Sequence, residues 1–345
     1  QLARAGLPHL LVERSRETGD ALCGGFLSWR TLAMLERMGI AADTLNPAVV
    51  TRVRLFAGEQ SVEAQLPFPA RGVSRRTLDT ALLAAAAKAG AAIERGVGVR
   101  AIDGGQARLD AGGEIAADAL FLASGKHEVR GRMRPVDARG QDPTIGLRLR
   151  LAASPALDRQ VGDRIELHLV DRGYAGLVRQ EDGSGNLCMA VRRSRLREAG
   201  DPERLLVDMA RELPALGDRL AHRATGSAVD AVANVPYGWR AAPGPAGLFR
   251  LGDQAAVIPS IAGEGMAIAI ASALAASDAY ARHGPAGSVA FQRRLSHGLA
   301  RPVGMAGAVW HLAERSGWAG TALWVARHQP ALVALVARLT RIDRQ

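Results

Sequence analysis

The stretch Arg250–Ser277, RLGDQAAVIPSIAGEGMAIAIASALAAS, decides how the chain is read. It begins inside a short apolar run, Gly247–Leu251, of strand length. Gly252-Asp253 turns the chain, and Pro259, Gly263 and Gly265 keep the following segment irregular. From Met266 onward small and apolar residues continue without Gly or Pro, a pattern that predicts a closely packed helix. A strand, an acidic turn, a Gly-rich loop and a helix start together form a ligand-binding arrangement. The loop lets backbone N–H groups approach a ligand, and the helix end offers positive potential to an electron-rich group. Asp253 is suited to accept hydrogen bonds from sugar or ribityl hydroxyls. Spacing alone leaves a second reading open, a Gly-rich turn before a core helix.

Three stretches upstream decide between the two. They are LLVERS at 10–15, LCGGFLS at 22–28 and VSRRTLDTALLAAAAKAGA at 73–91. With GDQAAVIPSIAGEGMAIAI at 252–270, their order and spacing resemble the para-hydroxybenzoate hydroxylase-like flavoproteins, and most closely the geranylgeranyl reductase branch. The resemblance covers roughly residues 1–280. It implies that Gly252, Asp253, Pro259, Gly263, Glu264, Gly265 and Met266 belong to the second flavin-contacting motif. Cys23 and Gly24 are expected beside the isoalloxazine, with Cys23 as a candidate catalytic residue, although a small buried thiol in a tight turn is the plainer alternative. Arg75 is expected over the flavin, with Arg76 its competitor. The apolar run Ala119–Ala123 is expected to end in a turn, Ser124-Gly125, near the adenosine side. Where the hydroxylase branch has an acidic-Gly segment, this chain reads Gly125-Lys126-His127. The aromatic-hydroxylase signature is therefore not met, and the nicotinamide-binding details do not carry over. Arg130, Arg132 and Arg134 are expected to face water rather than a phosphate.

The start of the chain fits the same scheme. QLARAG at 1–6 predicts the end of a helix closed by Gly6, and Leu7–Val12 a short strand ending in Glu13. In dinucleotide-binding folds an acidic residue at this point takes the ribose hydroxyls, so Glu13, with Arg14 beside it, is a cofactor candidate. The G-x-G-x-x-G loop lies about 20 residues before such a residue, so it is expected upstream of Gln1. The chain without those residues is expected to bind FAD poorly.

Composition bounds the rest. The chain has 345 residues, 48% hydrophobic and 4% aromatic, enough for a large core built mainly from Ala, Leu and Val. Lys88 and Lys126 are its lysines, so 42 of the 44 basic residues are Arg, spread along the chain rather than gathered in a stripe. The charge of +10 therefore does not point to nucleic acid. Cys23 and Cys188 form no disulfide framework and lack metal-ligand spacing. No secretory signal opens the chain and no apolar run of about 18 residues interrupts it, so a cytoplasmic setting is expected.

The expected fold is α/β: a discontinuous Rossmann-like FAD-binding domain (1–48, 72–140 and 236–283), an antiparallel β-sheet substrate domain (49–71 and 141–235), and a helical C-terminal extension (284–345). The hairpin at 49–66 and the strands Gly146–Leu151, Ile165–Val170, Ala175–Arg179 and Leu187–Val191 supply the sheet. Helices are expected at Arg30–Met38, Val73–Ala89, Pro202–Leu213, Val289–Leu299, Val303–Ala313, Thr321–Arg327 and Ala331–Arg341. The last of these pair apolar faces with Arg315, Arg327, Arg338 and Arg341, so peripheral membrane contact joins the expectations. Tyr174, Tyr237 and Trp239 are candidates for the substrate cavity. Function follows as an FAD-dependent oxidoreductase with NADPH or NADH as electron donor. Its expected substrate is a hydrophobic small molecule (isoprenoid, polyketide or phenolic), which it reduces at an alkene or hydroxylates on a ring. The rivals are a flavin-free binding protein on the same scaffold and an NAD-only dehydrogenase.

Overall fold

The computed structural model describes residues 1–329, 335 and 338–342. Its largest element is an eight-stranded sheet. In spatial order its strands are Asp230–Val235, Thr144–Leu151, Gly185–Arg192, Gly173–Arg179, Arg164–Val170, Val50–Ala57, Gln60–Gly72 and Phe26–Leu27. Neighbours run antiparallel except at one junction, where Arg164–Val170 lies parallel to Val50–Ala57 with Arg164 opposite Arg52. Parallel neighbours need a long crossover, and here the chain passes through the entire 73–140 region between the two strands.

Alternation along these strands divides the sheet into two faces. Leu147, Leu149, Leu187 and Val191 point to one face and pack on Leu205, Met209 and Leu216. Those three come from the helices Pro202–Glu212 and Pro214–Leu220. The first of these starts at Asp201, whose side chain accepts the N–H of Arg204 at 2.8 Å, with Pro202 in the first turn. Ile165, Leu167 and Leu169 point to the opposite face, into a large cavity. The helices Pro214–Leu220, Pro155–Val161 and Arg193–Ala199 were not foreseen in a segment whose apolar runs read as strands.

The cofactor-side layer is built on parallel pairs. Leu10–Glu13 pairs with Ala92–Arg95, and Leu248–Arg250 pairs with Leu120–Leu122. Gly6 closes a short 3-10 turn, Ala3–Ala5, in the left-handed conformation at φ 66°. Against these strands lies the long helix Gly265–His283, whose Ala267, Ile268 and Ala276 are buried in one core with Leu35, Phe249 and Phe291. The helix Arg75–Lys88 begins at Ser74, whose Oγ accepts the Thr77 N–H at 3.1 Å. Glu181 of the large sheet's side accepts the Ser74 N–H at 2.9 Å and both nearby hydroxyls, fastening this helix to the second layer.

The chain continues as helices Gly287–Gly298, Ala300–Ala313 and Ser316–His328. Trp310 is buried edge-on against Tyr174 and Tyr237, which docks the second of them on the cavity face of the sheet. The expected helix Ala331–Arg341 falls mostly outside the described residues. Among the described residues no helix is long and apolar enough to cross a membrane.

Candidate cofactor and active site

Both layers converge on one cavity of about 980 Å³, near the top of the range usual for small-molecule sites. Its acidic corner is made by the turn after Leu248–Arg250. Gly252 adopts φ 53°, and a Cβ there would sit 3.3 Å from that of Ala269 in the long helix. The Gly252 N–H donates to Ser272 Oγ at 2.9 Å, so the turn is fixed on the helix and directs Asp253 into the cavity. There Asp253 Oδ2 accepts from Lys126 Nζ at 2.9 Å. Burial opposes the Lys126 charge, but Asp253 outweighs it and raises the ammonium pKa, so Lys126 is charged at neutral pH.

The loops carrying Lys126 and Asp253 are stitched together by two buried side chains that sequence reasoning missed. Gln254 Nε2 donates to Gly125 O and His127 O, both at 2.9 Å. Arg134 Nη2 donates to Gly125 O at 2.6 Å and to Asp253 O at 2.9 Å, while Nη1 binds Glu128 Oε1 at 2.7 Å. The expectation that Arg134 faces water is thereby corrected: it is buried, and its guanidinium lies 5.2 Å from the Trp239 ring. Trp239 supports Arg134 and does not line the cavity. Arg132 binds Gly131 O and Gly104 O, and Arg130 is exposed.

A second wall is the start of the helix Gly265–His283. Its first intrahelical bond runs from the Ile268 N–H to Glu264 O at 3.0 Å, so the N–H groups of Gly265, Met266 and Ala267 have no acceptor within the helix. The residue in the cap position, Glu264, does not cap them. Its carboxylate is buried and bound by Arg341 instead. Gly265 and Met266 line the cavity, and a Cβ on Gly265 would meet nothing within 4 Å. Gly263, at φ 68°, brings the loop against Phe26 and lines the same cavity.

The third wall carries Cys23, Gly24 and Arg75. Asp20 is paired with Arg148 and Arg150 of the large sheet, which anchors the loop leading to Cys23. The Cys23 carbonyl accepts Asn186 Nδ2 at 2.8 Å and Cys188 Sγ at 3.0 Å. Burial pushes the Cys188 thiol up to about 12, so it stays protonated and acts as a donor. Gly24 has open space where a Cβ would project. Arg75 bonds Asp79 through Nε at 3.0 Å and Nη2 at 2.8 Å, which holds its guanidinium at the cavity edge.

The other sequence candidates are placed differently. Glu13 ends its strand and accepts the Ser15 N–H at 2.8 Å. Arg14 Nη2 meets His127 Nε2 at 2.9 Å, and Ser124 Oγ donates to His127 O at 2.9 Å. These residues, with Pro259 and Glu264, lie outside the cavity lining. Also on the cavity lining, Tyr174 donates to Ser260 Oγ at 2.7 Å and Tyr237 meets the same oxygen, which makes a cluster of hydroxyls. Burial raises both phenol pKa values, Tyr174 well above the ordinary range.

The residues present fit a flavin in two respects: uncapped N–H groups at a helix end, and glycines whose missing side chains open the cavity beside them. No family model matches the sequence, and no curated protein is significantly similar to it. Solved structures do match. A geranylgeranyl bacteriochlorophyll reductase-like protein from Thermoplasma acidophilum superposes with a TM-score of 0.73 at 18% identity, over 99% of this chain and 88% of that one. PqsL, a probable FAD-dependent monooxygenase from Pseudomonas aeruginosa, gives 0.66 at 17% identity, over 92% and 93%. A variant of halogenase PltM in complex with FAD gives 0.71 at 12% identity, over 98% and 82%. The fold is that of FAD-dependent oxidoreductases.

On this flavoprotein fold, Asp253→Ala is an informative substitution. The carboxylate is partly buried and paired with Lys126 through Oδ2, and its remaining lone pairs can accept hydroxyl donors. Its removal is expected to weaken FAD binding by roughly tenfold to a hundredfold, one or two charge-assisted hydrogen bonds' worth. Fluorescence titration of FAD against both proteins checks this; equal affinity would remove Asp253 from the cofactor site.

Proposed function

We propose that the protein is an FAD-dependent oxidoreductase that passes electrons from a reduced nicotinamide to a hydrophobic small molecule. The observation that carries this reading is the helix start at Gly265, uncapped and opening onto a cavity large enough for a ring system and a substrate together. FAD bound there would supply hydride transfer or, when reduced, oxygen activation.

The chain's own residues do the rest. The N–H groups of Gly265, Met266 and Ala267 offer donors to the edge of a ring that becomes electron-rich on reduction. Asp253 is the acceptor for hydroxyls, steadied by Lys126. Arg75, fixed by Asp79, adds a permanent positive charge at the cavity edge. On the substrate side, Leu55, Val62, Leu167 and Leu169 exclude water and favour an apolar ligand. The Tyr174–Ser260–Tyr237 hydroxyls offer hydrogen bonds to a polar group on it.

Alkene reduction and aromatic hydroxylation both suit this arrangement, and Gly125-Lys126-His127 in place of an acidic-Gly segment favours reduction. Reconstitution with FAD, followed by substrate-dependent NADH or NADPH oxidation with and without oxygen, tests the proposal. A reductase turns over anaerobically, whereas a hydroxylase stops. A full-length protein that stays colourless after reconstitution would support a flavin-free binding protein instead.

Cys23→Ser is expected to leave flavin content unchanged. The segment is held through the Cys23 carbonyl, by Asn186 and Cys188, and that carbonyl survives the substitution. The flavin-to-protein absorbance ratio reads this directly. A ratio cut by half or more would place the Cys23 side chain in the cofactor contact. Turnover of the same protein then reports whether the thiol takes part in the chemistry.

A further inference from the structure

The sequence puts Glu264 at the cap of the long helix, where its carboxylate would ordinarily neutralise the first-turn N–H groups. The structure turns it away. Its side chain is fully buried, with Oε1 bound by Arg341 Nη1 and Oε2 accepting the Ile342 N–H at 3.3 Å. The same Arg341 nitrogen donates to Ala262 O at 2.9 Å, two residues before Glu264. The guanidinium lies 4.7 Å from the centre of the Trp29 ring, so it is clamped by an ion pair, a carbonyl and an aromatic face. Glu264 itself sits at φ −113°, ψ 6°, away from the extended conformation from which a cap side chain reaches its own helix. Arg341 is 7% exposed and lines the cavity, and its Nε has no hydrogen-bond partner.

We infer that Arg341 and Glu264 are a positioning pair that keeps the N-terminus of the helix Gly265–His283 uncapped for the cofactor. The inference rests on the flavin reading for its purpose, but the pair's effect on the helix is independent of it. A carboxylate buried without its cation is strongly disfavoured. Its own first turn offers the N–H groups of Met266 and Ala267, which have no acceptor within the helix. Without Arg341 and its bond to Ala262 O, the Glu264 backbone is free to move into the extended conformation, from which its carboxylate caps the helix and places a negative charge where a reduced flavin needs positive potential. Arg341 thus acts through Glu264 and not by contact with a reacting atom.

The experiment compares the full protein with Arg341→Met, Arg341→Lys and the double variant Arg341→Met/Glu264→Ala. Two readouts are used. The first is the amide chemical shifts of Met266 and Ala267 without flavin, which move downfield when a carboxylate accepts their protons. The second is FAD affinity by titration, together with the flavin midpoint potential. Arg341→Met is expected to shift both amides downfield. It is also expected to weaken FAD by about tenfold, the scale of a neutralised helix end, and to move the potential negative. The double variant is expected to return the amides and the affinity close to the parent, because the carboxylate is gone. Arg341→Lys keeps a cation and is expected to lie near the parent. Amides unmoved in Arg341→Met, or a double variant as weak as the single, would overturn the pair's role and reduce it to packing. If the parent protein itself takes up no FAD, the flavin reading fails while the amide shifts still decide whether Arg341 holds Glu264 off the helix.

Discussion

Gly265→Val is expected to abolish measurable FAD binding while leaving the protein folded. The position is the first residue of the long helix, and its backbone is not in the left-handed region, so a side chain is tolerated locally. A Cβ there would meet no atom within 4 Å, and valine is a slightly better helix residue than glycine. All the added volume therefore enters the cavity, at the point where the N–H groups of the first turn open onto it. Blocking one or two such donors and excluding the ring that approaches them is worth roughly 3–5 kcal/mol, a loss of a hundredfold or more in affinity. Thermal unfolding of the flavin-free protein should be unchanged. Gly263→Val is the contrasting control. That residue is at φ 68°, and a Cβ would press on Phe26 at 2.9 Å, so the same substitution two residues earlier is expected to lower stability as well. Normal FAD uptake by Gly265→Val would remove the helix end from the cofactor site.

What the sequence revealed about this corner, and what it hid, follows from the distances along the chain. Turns, caps and periodicity are local, so the run from Leu248 through Gly252 to the helix was legible. So were the hairpin of Val50–Ala57 with Gln60–Gly72 and the helix that starts at Ser74. The contacts that give the site its charge are not local. Lys126 reaches Asp253 over 127 residues, Arg134 reaches its backbone over 119, and Arg341 reaches Glu264 over 77. No spacing rule connects such pairs, and in a chain with so many arginines no single one stands out. Arg134 illustrates the consequence. In KHEVRGRMRP it looks like one of several solvated charges, yet it is the one that folding buries between two loops. Glu264 is a second case: it stands in a Gly-rich loop before a helix, and nothing in that local pattern reveals that its carboxylate is bound by Arg341. The short helices at 193–199 and 214–220 escaped for another reason. They are too brief to show a period, and the second carries a buried arginine where an apolar face would be sought.

That arginine gives the largest expected effect on stability. Arg219 donates to Glu166 through Nε at 2.9 Å and Nη2 at 2.8 Å, and both side chains are buried beneath the large sheet. His168 Nε2 lies 3.2 Å from Glu166 Oε2, and its ring stacks on Phe56 at 4.5 Å between centroids. Burial pushes the His168 pKa down, so the ring is neutral and donates its Nε2 proton to the carboxylate. For Glu166, burial alone would raise the pKa, but the bonds from His168 and Arg219 outweigh it and bring the value down to about 2. A carboxylate depressed in this way contributes stability above its ordinary value of 4.5, and that contribution is lost as pH falls toward about 2. Arg219→Met removes the bidentate partner and leaves Glu166 with the single, longer ion pair to Arg54 at 3.4 Å beside its bond from His168. The variant is left with a buried carboxylate short of its main counter-charge, a cost of about 3–5 kcal/mol at neutral pH. In Arg219→Met the Glu166 carboxyl takes up a proton at higher pH than in the parent. The stability gap between the two proteins should therefore be widest near neutrality and narrow steadily on acidification. Adding Glu166→Leu to Arg219→Met removes the stranded charge and should recover much of the loss. Urea unfolding of all three proteins between neutral pH and the edge of acid unfolding measures this. A gap that is small at neutral pH, or one that does not shrink in acid, would mean that the pair does not hold this part of the fold together.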